Sequence, residues 1–447
     1  MEGGSLVETS NVLIMGAAGR DFHNFNVCFR DQSRSKVRAF TAAQIPNIEG
    51  RTYPPVLSGP HHPEGIPIFP EERLEDLIRE LEIDEVVFAY SDISYVELMH
   101  KASRVHAAGA DFVLLGREST SIKARVPVIS ICAVRTGAGK SPTTRQICRI
   151  LKKENIRFVV IRHPMPYGKL ESQICQRFAS LDDLKAHHCT VEEGEEYAPL
   201  IEMGVLVFAG VDYGTILEEA QSEADLIVWD GGNNDWPFYY PDLHIVVTDP
   251  HRQGHEERYH PGEANLRMAN VVILNKVDTA DPANVSLLRK NVQRINPDAV
   301  VIEAACVVKV ENPESLKGRK VLVVEDGPTL THGEMSYGAG WIAAKEMGAE
   351  ILDPRRYAVG SIAKIYDQYP HLGPVLPAMG YSETQLSELA QTIEGSPCDL
   401  AVLGTPFDIR KVAPFSKPAV RISYDLEERT SPDLSMIVGN FLRKRLP

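Results

Sequence analysis

The chain has 447 residues, 43% hydrophobic and 24% charged, with a formal net charge of -14. At roughly 100–200 residues per domain this is material for several cores, and the acidic balance excludes a broad phosphate-tracking surface for DNA or RNA. Seven scattered cysteines without a C-x-x-C fit a reducing compartment, not a disulfide framework.

The opening, MEGGSLVETSNVLIMG, lacks a basic region followed by a long apolar stretch, and nowhere do about 18 apolar residues run together. A cytoplasmic protein with no membrane partner is expected. Short apolar runs then alternate with amphipathic stretches, the pattern of βαβ units and parallel sheets. Residues 1–120 form a first, Rossmann-like α/β domain. NVLIMGAAGR reads as a strand entering a glycine turn, with KVRAFTAA, DEVVFAY and ADFVLLG as further strands. LEDLIRELEI and YVELMHKASRVHAAG have helical spacing. The turn Gly16-Ala17-Ala18-Gly19-Arg20-Asp21-Phe22-His23 lacks the full G-x-G-x-x-G, so a plain turn and a ligand loop both stay open. The stretch IPNIEGRTYPPVLSGPHHPEGIPIFPEE is too long for a simple connection and is expected to be a functional loop over a site.

Residues 121–320 form the second block, a P-loop NTPase domain. VPVISICAV is a strand and TTRQICRILKKENI a helix; RFVVIRHP, GVLVFAG, DLIVWDGG, HIVVTDP and NVVILNKVD follow as strands. Residues 321–447 form a smaller C-terminal α/β domain with strands KVLVVEDGP, CDLAVLGTP and PAVRISYD. The fold class is therefore multidomain α/β, with doubly wound parallel sheets around a central nucleotide-binding domain.

The chemistry concentrates at ISICAVRTGAGKSPTTRQICRIL. A buried strand leads into Arg135-Thr136-Gly137-Ala138-Gly139-Lys140-Ser141 and a helix follows, the context a phosphate loop needs. Glycines let successive N–H groups turn toward one anion, and the helix N-terminus adds partial positive charge. Lys140 reaches the β- and γ-phosphates of ATP or GTP, and Ser141 holds Mg²⁺. Asp230, ending an apolar strand, is the expected second metal-side carboxylate, and Gly231-Gly232 gives it a flexible neighbour. Asn275-Lys276-Val277-Asp278 ends another strand. An N-K-x-D reads guanine, because the carboxylate accepts from the ring N–H and exocyclic amine; an ordinary charged strand end stays open beside it.

Other strand ends carry basic groups. Arg162-His163 follows RFVVIRHP, and His251, Arg252, His255 and Arg258 follow HIVVTDP. In a doubly wound sheet such ends lie near the γ-phosphate, so Arg162, His163, Arg252, His255 and Arg258 are candidates for a phosphorylated small-molecule substrate. His187-His188-Cys189 with Glu192 and Glu193 is not expected to hold a metal, because adjacent helical histidines point apart. Glu325-Asp326-Gly327-Pro328-Thr329, then His332-Gly333, is a polar loop after a strand; an ordinary turn and a wall of the nucleotide site both stay open.

The loop departs from the common pattern, with Val134 where the first glycine usually stands. It resembles the variant x-K-G-G-x-G-K-[ST] of ParA- and MinD-like ATPases, metallochaperone GTPases and dethiobiotin synthetase. That resemblance makes Arg135 the second basic residue of the loop. It implies a catalytic role reaching the phosphates of a facing subunit, and hence a homodimer or higher homo-oligomer. Over most of the chain, VRTGAGKSPTTR, DPHRQGHEERYHPGEANLRMANVVILNKVD, VEDGPTLTHGEMSYGAG and GAAGRDFHNFN resemble the cyclic 2,3-diphosphoglycerate synthetase family and related P-loop GTPases. The family resemblance implies ATP-driven cyclisation of 2,3-diphosphoglycerate, releasing ADP and phosphate. Lys140, Ser141 and Asp230 would serve nucleotide and Mg²⁺, and Arg135, Arg162, His163, Arg252 and His255 the substrate's charge. The N-K-x-D keeps the alternative of a GTPase switch or chaperone acting on a protein partner.

Overall fold

The computed structural model describes residues 9–16, 19–43, 50–165, 168–232, 235–331, 335–379, 383–405, 408–411 and 413–446. Ala17, Ala18, His332 and Gly333 of the loops singled out above lie outside them.

The first sheet is built from β1 (Ser10–Met15), β2 (Ser35–Ala42), β3 (Thr52–Tyr53), β4 (Ile66–Pro70) and β5 (Glu85–Phe88). After a short β6 (Ile93–Ser94), β7 (Asp111–Leu114) completes it in the order β3-β4-β2-β1-β5-β7. All its pairs are parallel except β3–β4. Val12 and Ile14 of β1 face Phe22, Phe25 and Tyr53, whereas Leu13 and Met15 face Leu74 and Leu77. A strand buried on both faces has to read as a continuous apolar run, and β1 does. The described part of the long Pro/Gly/His stretch forms β3, the turn Pro55–Ser58 and β4, and it stacks Tyr53 on Phe22 at 4.6 Å. This part of the expected functional loop is packing.

The rest of the chain contributes β8 (Val128–Ala133), β9 (Phe158–Arg162), β10 (Cys175–Phe178), β11 (Leu206–Gly210), β12 (Leu226–Asp230) and β13 (Leu243–Thr248). A short β14 (Tyr259–His260) precedes β15 (Val271–Leu274) and β16 (Val300–Val310). Then come β17 (Lys320–Asp326), β18 (Glu350–Ile351), β19 (Leu376–Ala378), β20 (Leu400–Gly404) and β21 (Ala419–Glu428). Apart from β14, these form one sheet, β10-β11-β9-β12-β8-β13-β15-β16-β21-β20-β17-β18, with β19 also on β17. Among the described residues, no helix is long and apolar enough to cross a membrane.

Strand β16 is the hinge of this sheet. Its first half, Val300–Glu303, runs parallel to β15; its second half, Ala304–Val310, runs antiparallel to β21. Strands β20 and β17 are parallel to β21, so they run back toward the middle sheet. The C-terminal ends of β8, β9, β12, β13 and β15 and the C-terminal end of β17 therefore face each other. The final helix, Leu434–Arg445, buries Leu434, Val438 and Leu442 in the same core as Ile129, Ile147 and Val228. The first block is pinned to the middle one by β6 pairing antiparallel with β14. Arg20 adds to this, bonded to Asp235 at 2.9 Å and lying over the rings of Trp236 and Phe238.

Candidate active site

The phosphate loop joins β8 to the helix Lys140–Lys153. Gly139 has φ +114° and a Cβ there would lie 2.0 Å from Asn275 Nδ2, so only glycine fits. Two side chains of the N-K-x-D hold the loop from behind. Asn275 Nδ2 donates to Ala138 O at 2.9 Å, and Lys276 Nζ donates to Gly137 O at 2.8 Å. The carbonyl and N–H of one peptide unit point opposite ways. Fixing Ala138 O on Asn275 thus turns the Gly139 N–H to the far side, where a phosphate would sit. Asp278 is exposed and makes no hydrogen bond or ion pair among the described residues.

On that far side, Lys140 Nζ donates to Asp230 Oδ1 at 2.7 Å. Arg162 bonds the other oxygen of Asp230 and reaches Glu196 with its second nitrogen. Burial pushes the Asp230 carboxyl up, but Arg162 and Lys140 outweigh it and hold the pKa at about 2. Ser141, Arg145, Arg162, Glu196 and Asp230 line a small cleft. A hydroxyl and an ionised carboxylate are the hard oxygen donors that Mg²⁺ takes, so Ser141 and Asp230 fit that ion. Next along the sheet, Asp249 accepts from Lys276 at 2.8 Å and Arg252 at 3.2 Å. Burial raises its pKa, and these two cations bring it back to about 2. A Cβ on Gly137 would lie 3.8 Å from Arg252 Nη2 and 3.6 Å from Thr329 Cγ2. Arg252 and the third segment both reach the loop apex.

Several basic groups do something other than expected. Arg135 is 2% exposed and turned into its own chain. Its Nε lies 2.6 Å from Asp92 Oδ1, its Nη1 donates to His255 Nδ1 at 2.7 Å, and its guanidinium sits 3.6 Å from the Tyr259 ring centre. Asp92 also accepts from Thr136 Oγ1 at 2.6 Å. In this structure Arg135 thus ties the loop to the first block. His255 serves Arg135 as an acceptor. His163 is packed against Gly232, and burial, Arg162 and Lys140 push its pKa well below the usual histidine range; it is neutral and offers an anion no charge. Arg162 is spent between two carboxylates. Arg258 is exposed and folded over Gly254.

Sequence reasoning missed Asp92 and Glu196, which come from elements far along the chain and stand in no motif with fixed spacing. For the loop after KVLVVED, Thr329 at the loop apex favours the wall of the nucleotide site over an ordinary turn. Among the described residues, no group of three or more His, Cys, Asp or Glu could hold a metal ion.

No family model matches the chain. Arginine synthetase ArcE of Thermococcus kodakarensis is 58% identical over 433 residues, covering 97% of this chain and 97% of that protein. Hydrogenase maturation factor HypB from Archaeoglobus fulgidus superposes with TM-score 0.26 and 16% identity over 40% of this chain and 81% of its own. The UDP-N-acetylmuramate:L-alanyl-gamma-D-glutamyl-meso-diaminopimelate ligase from Neisseria meningitides gives TM-score 0.29 and 8% identity over 67% of this chain and 80% of its own. Structural likenesses this slight carry no argument about function.

Proposed function

The chain belongs to the family of the arginine synthetase ArcE, and from that premise we propose that it is an NTP-driven synthetase that builds the guanidinium group of arginine. The observation that carries the reading is the joining of Lys140, Asp230 and Ser141 at the mouth of the phosphate loop, with Asn275 and Lys276 bracing the loop from behind. Removing one nitrogen from a guanidinium and putting oxygen in its place gives a ureido group. Making the C–N bond at neutral pH therefore requires that oxygen to leave, and a phosphoryl group makes it a leaving group. The ureido oxygen of a δ-ureido amino acid attacks the γ-phosphorus, the bond to the β-phosphate oxygen breaks, and the nucleoside diphosphate departs. A nitrogen nucleophile then displaces the phosphorylated oxygen from carbon as phosphate.

In this reading Lys140 moves from Asp230 to the β- and γ-phosphates as the nucleotide seats. Asp230 and Ser141, which line the same cleft, would hold Mg²⁺, which neutralises phosphate charge when bound. Arg162 keeps Asp230 ionised and oriented through Oδ2, and Arg252 adds charge at the loop apex. The nucleotide is ATP or GTP, with Asp278 the residue free to read guanine.

Arg252 beside Gly137 also supports a second reading, the cyclisation of 2,3-diphosphoglycerate implied by the resemblance, since a bisphosphate needs cations at that apex. A GTPase switch would rest on Asp278 alone. One experiment separates the three. The protein is given ATP or GTP with Mg²⁺ and, in turn, a δ-ureido amino acid with ammonium, 2,3-diphosphoglycerate, or no second substrate. Arginine formed one for one with nucleoside diphosphate supports the first reading. Turnover driven by 2,3-diphosphoglycerate, or equal turnover without any second substrate, overturns it.

A further inference from the structure

The third segment reaches the phosphate loop through one short stretch. Strand β17 ends on Glu325–Asp326, and the turn of helix Gly327–Thr331 that follows lays Thr329 on the loop apex, 3.6 Å from the Cβ position of Gly137. Asp326 fixes Thr329 there: its Oδ2 accepts from Thr329 Oγ1 at 2.5 Å and from Thr329 N at 3.1 Å. Across the cleft stands Glu196, clamped by Arg162, near enough to act electrostatically on Asp326. Tyr424 of β21 feels both carboxylates, and Arg145 of the loop helix lies 5.5 Å from its ring centre. Arg162, Glu196 and Asp230 line the cleft, and Asp326, within electrostatic reach of Glu196 and holding Thr329 on the loop apex, stands at its edge. The loop supplies one wall and β17, running back from the hinge at β16, supplies the opposite one.

The two walls differ in what they can hold. On the loop side stands Lys140, suited to phosphate once it leaves Asp230. On the far side stands Asp326, a carboxylate held by Thr329 and suited to a cation. The reaction proposed above brings those two kinds of ligand together, because the nitrogen donor available at neutral pH is the ammonium ion.

Resting on that synthetase reading, we propose that Asp326 is the general base that turns ammonium into ammonia beside the carbon that bears the phosphorylated oxygen. Ammonium gives one proton to the Asp326 carboxylate. The freed lone pair forms the C–N bond. The C–O bond breaks, its electron pair leaves on phosphate, and that phosphate takes an N–H proton from the collapsing centre. The proton held on Asp326 passes to solvent. Burial raises the Asp326 pKa to about 6 against the pull of Thr329, with Glu196 adding to the rise. A base of that strength is poised for work near neutrality.

The test is Asp326→Asn in the full chain, which keeps an acceptor for Thr329 and removes the base. Ammonium-dependent arginine formation should fall roughly 100-fold or more, the usual contribution of a positioned base. Hydroxylamine, already a neutral nucleophile near neutrality, should still give the hydroxyguanidine product within about fivefold of wild type, since it needs no such base. Asp326→Glu should recover part of the ammonium reaction. Parallel losses with both nucleophiles, or ammonium turnover within a few-fold of wild type, would overturn the proposal. Wild type forming neither product would instead overturn the synthetase reading, and the base with it.

Discussion

Glu325 offers a stability test with a worked magnitude. Its carboxyl is 2% exposed, and both Gly338 N (3.2 Å) and Trp341 N (2.7 Å) donate to Oε1. Around the other oxygen there is no room: Cβ atoms on Gly338 and Gly404 would lie 2.5 and 2.3 Å from Oε2. Burial dominates these N–H donors and raises the pKa from 4.5 to about 8. Between those values the folded chain binds a proton that the unfolded chain has released, so stability falls as pH rises. At about 1.4 kcal/mol per pH unit, the full loss above pH 8 is at most about 5 kcal/mol. Glu325→Gln retains Oε1 for both donors and has no charge to bury. Urea unfolding of the two proteins between about pH 5 and pH 9 should show the variant no more stable than wild type at the acid end. It should become progressively more stable toward the alkaline end, by up to that amount. A difference between the two that stays constant across the range would refute the reasoning.

Lys140→Ala should nearly abolish nucleotide turnover with the fold intact, because Arg162 still neutralises Asp230; activity within a few-fold of wild type, read beside an unchanged unfolding midpoint, would remove the loop from the chemistry. Asp278→Asn should weaken GTP binding by about 1–3 kcal/mol if guanine is read there and leave ATP binding unchanged; equal small effects in a binding titration would make the motif a brace for the loop and nothing more. Asp92→Ala strands Arg135, whose side chain is 2% exposed, and should cost about 3–5 kcal/mol in urea unfolding, as breaking buried pairs does; a change under about 0.5 kcal/mol would show that His255 and Tyr259 suffice to hold it.

The loop, Asp230 and the N-K-x-D were legible because each is a local signal: a strand end followed by residues whose spacing alone brings them to the same sheet edge. What the basic residues do there was not. Arg135 and Arg162 read as free cations because their carboxylate partners, Asp92 in one case and Asp230 with Glu196 in the other, come from elsewhere in the chain. The charge of His163 was lost to burial, which a strand-end position does not reveal. The approach of β17 to the loop depends on β16 changing partners midway. That strand, VVIEAACVVKV, carries Glu303 at its last parallel pair and Ala304 at its first antiparallel one, and a lone charge within an apolar stretch does not by itself announce a change of partner.

The central claim is that the phosphate loop activates a ureido oxygen by phosphorylation. A δ-ureido amino acid carrying ¹⁸O in the ureido group, turned over with NTP, Mg²⁺ and ammonium, tests it most directly. The account predicts one labelled oxygen in each phosphate released with arginine, and no label appearing when Lys140 is alanine. Unlabelled phosphate alongside newly formed arginine would contradict it, because the nucleotide would then have been split by water and the oxygen would have left carbon by another route.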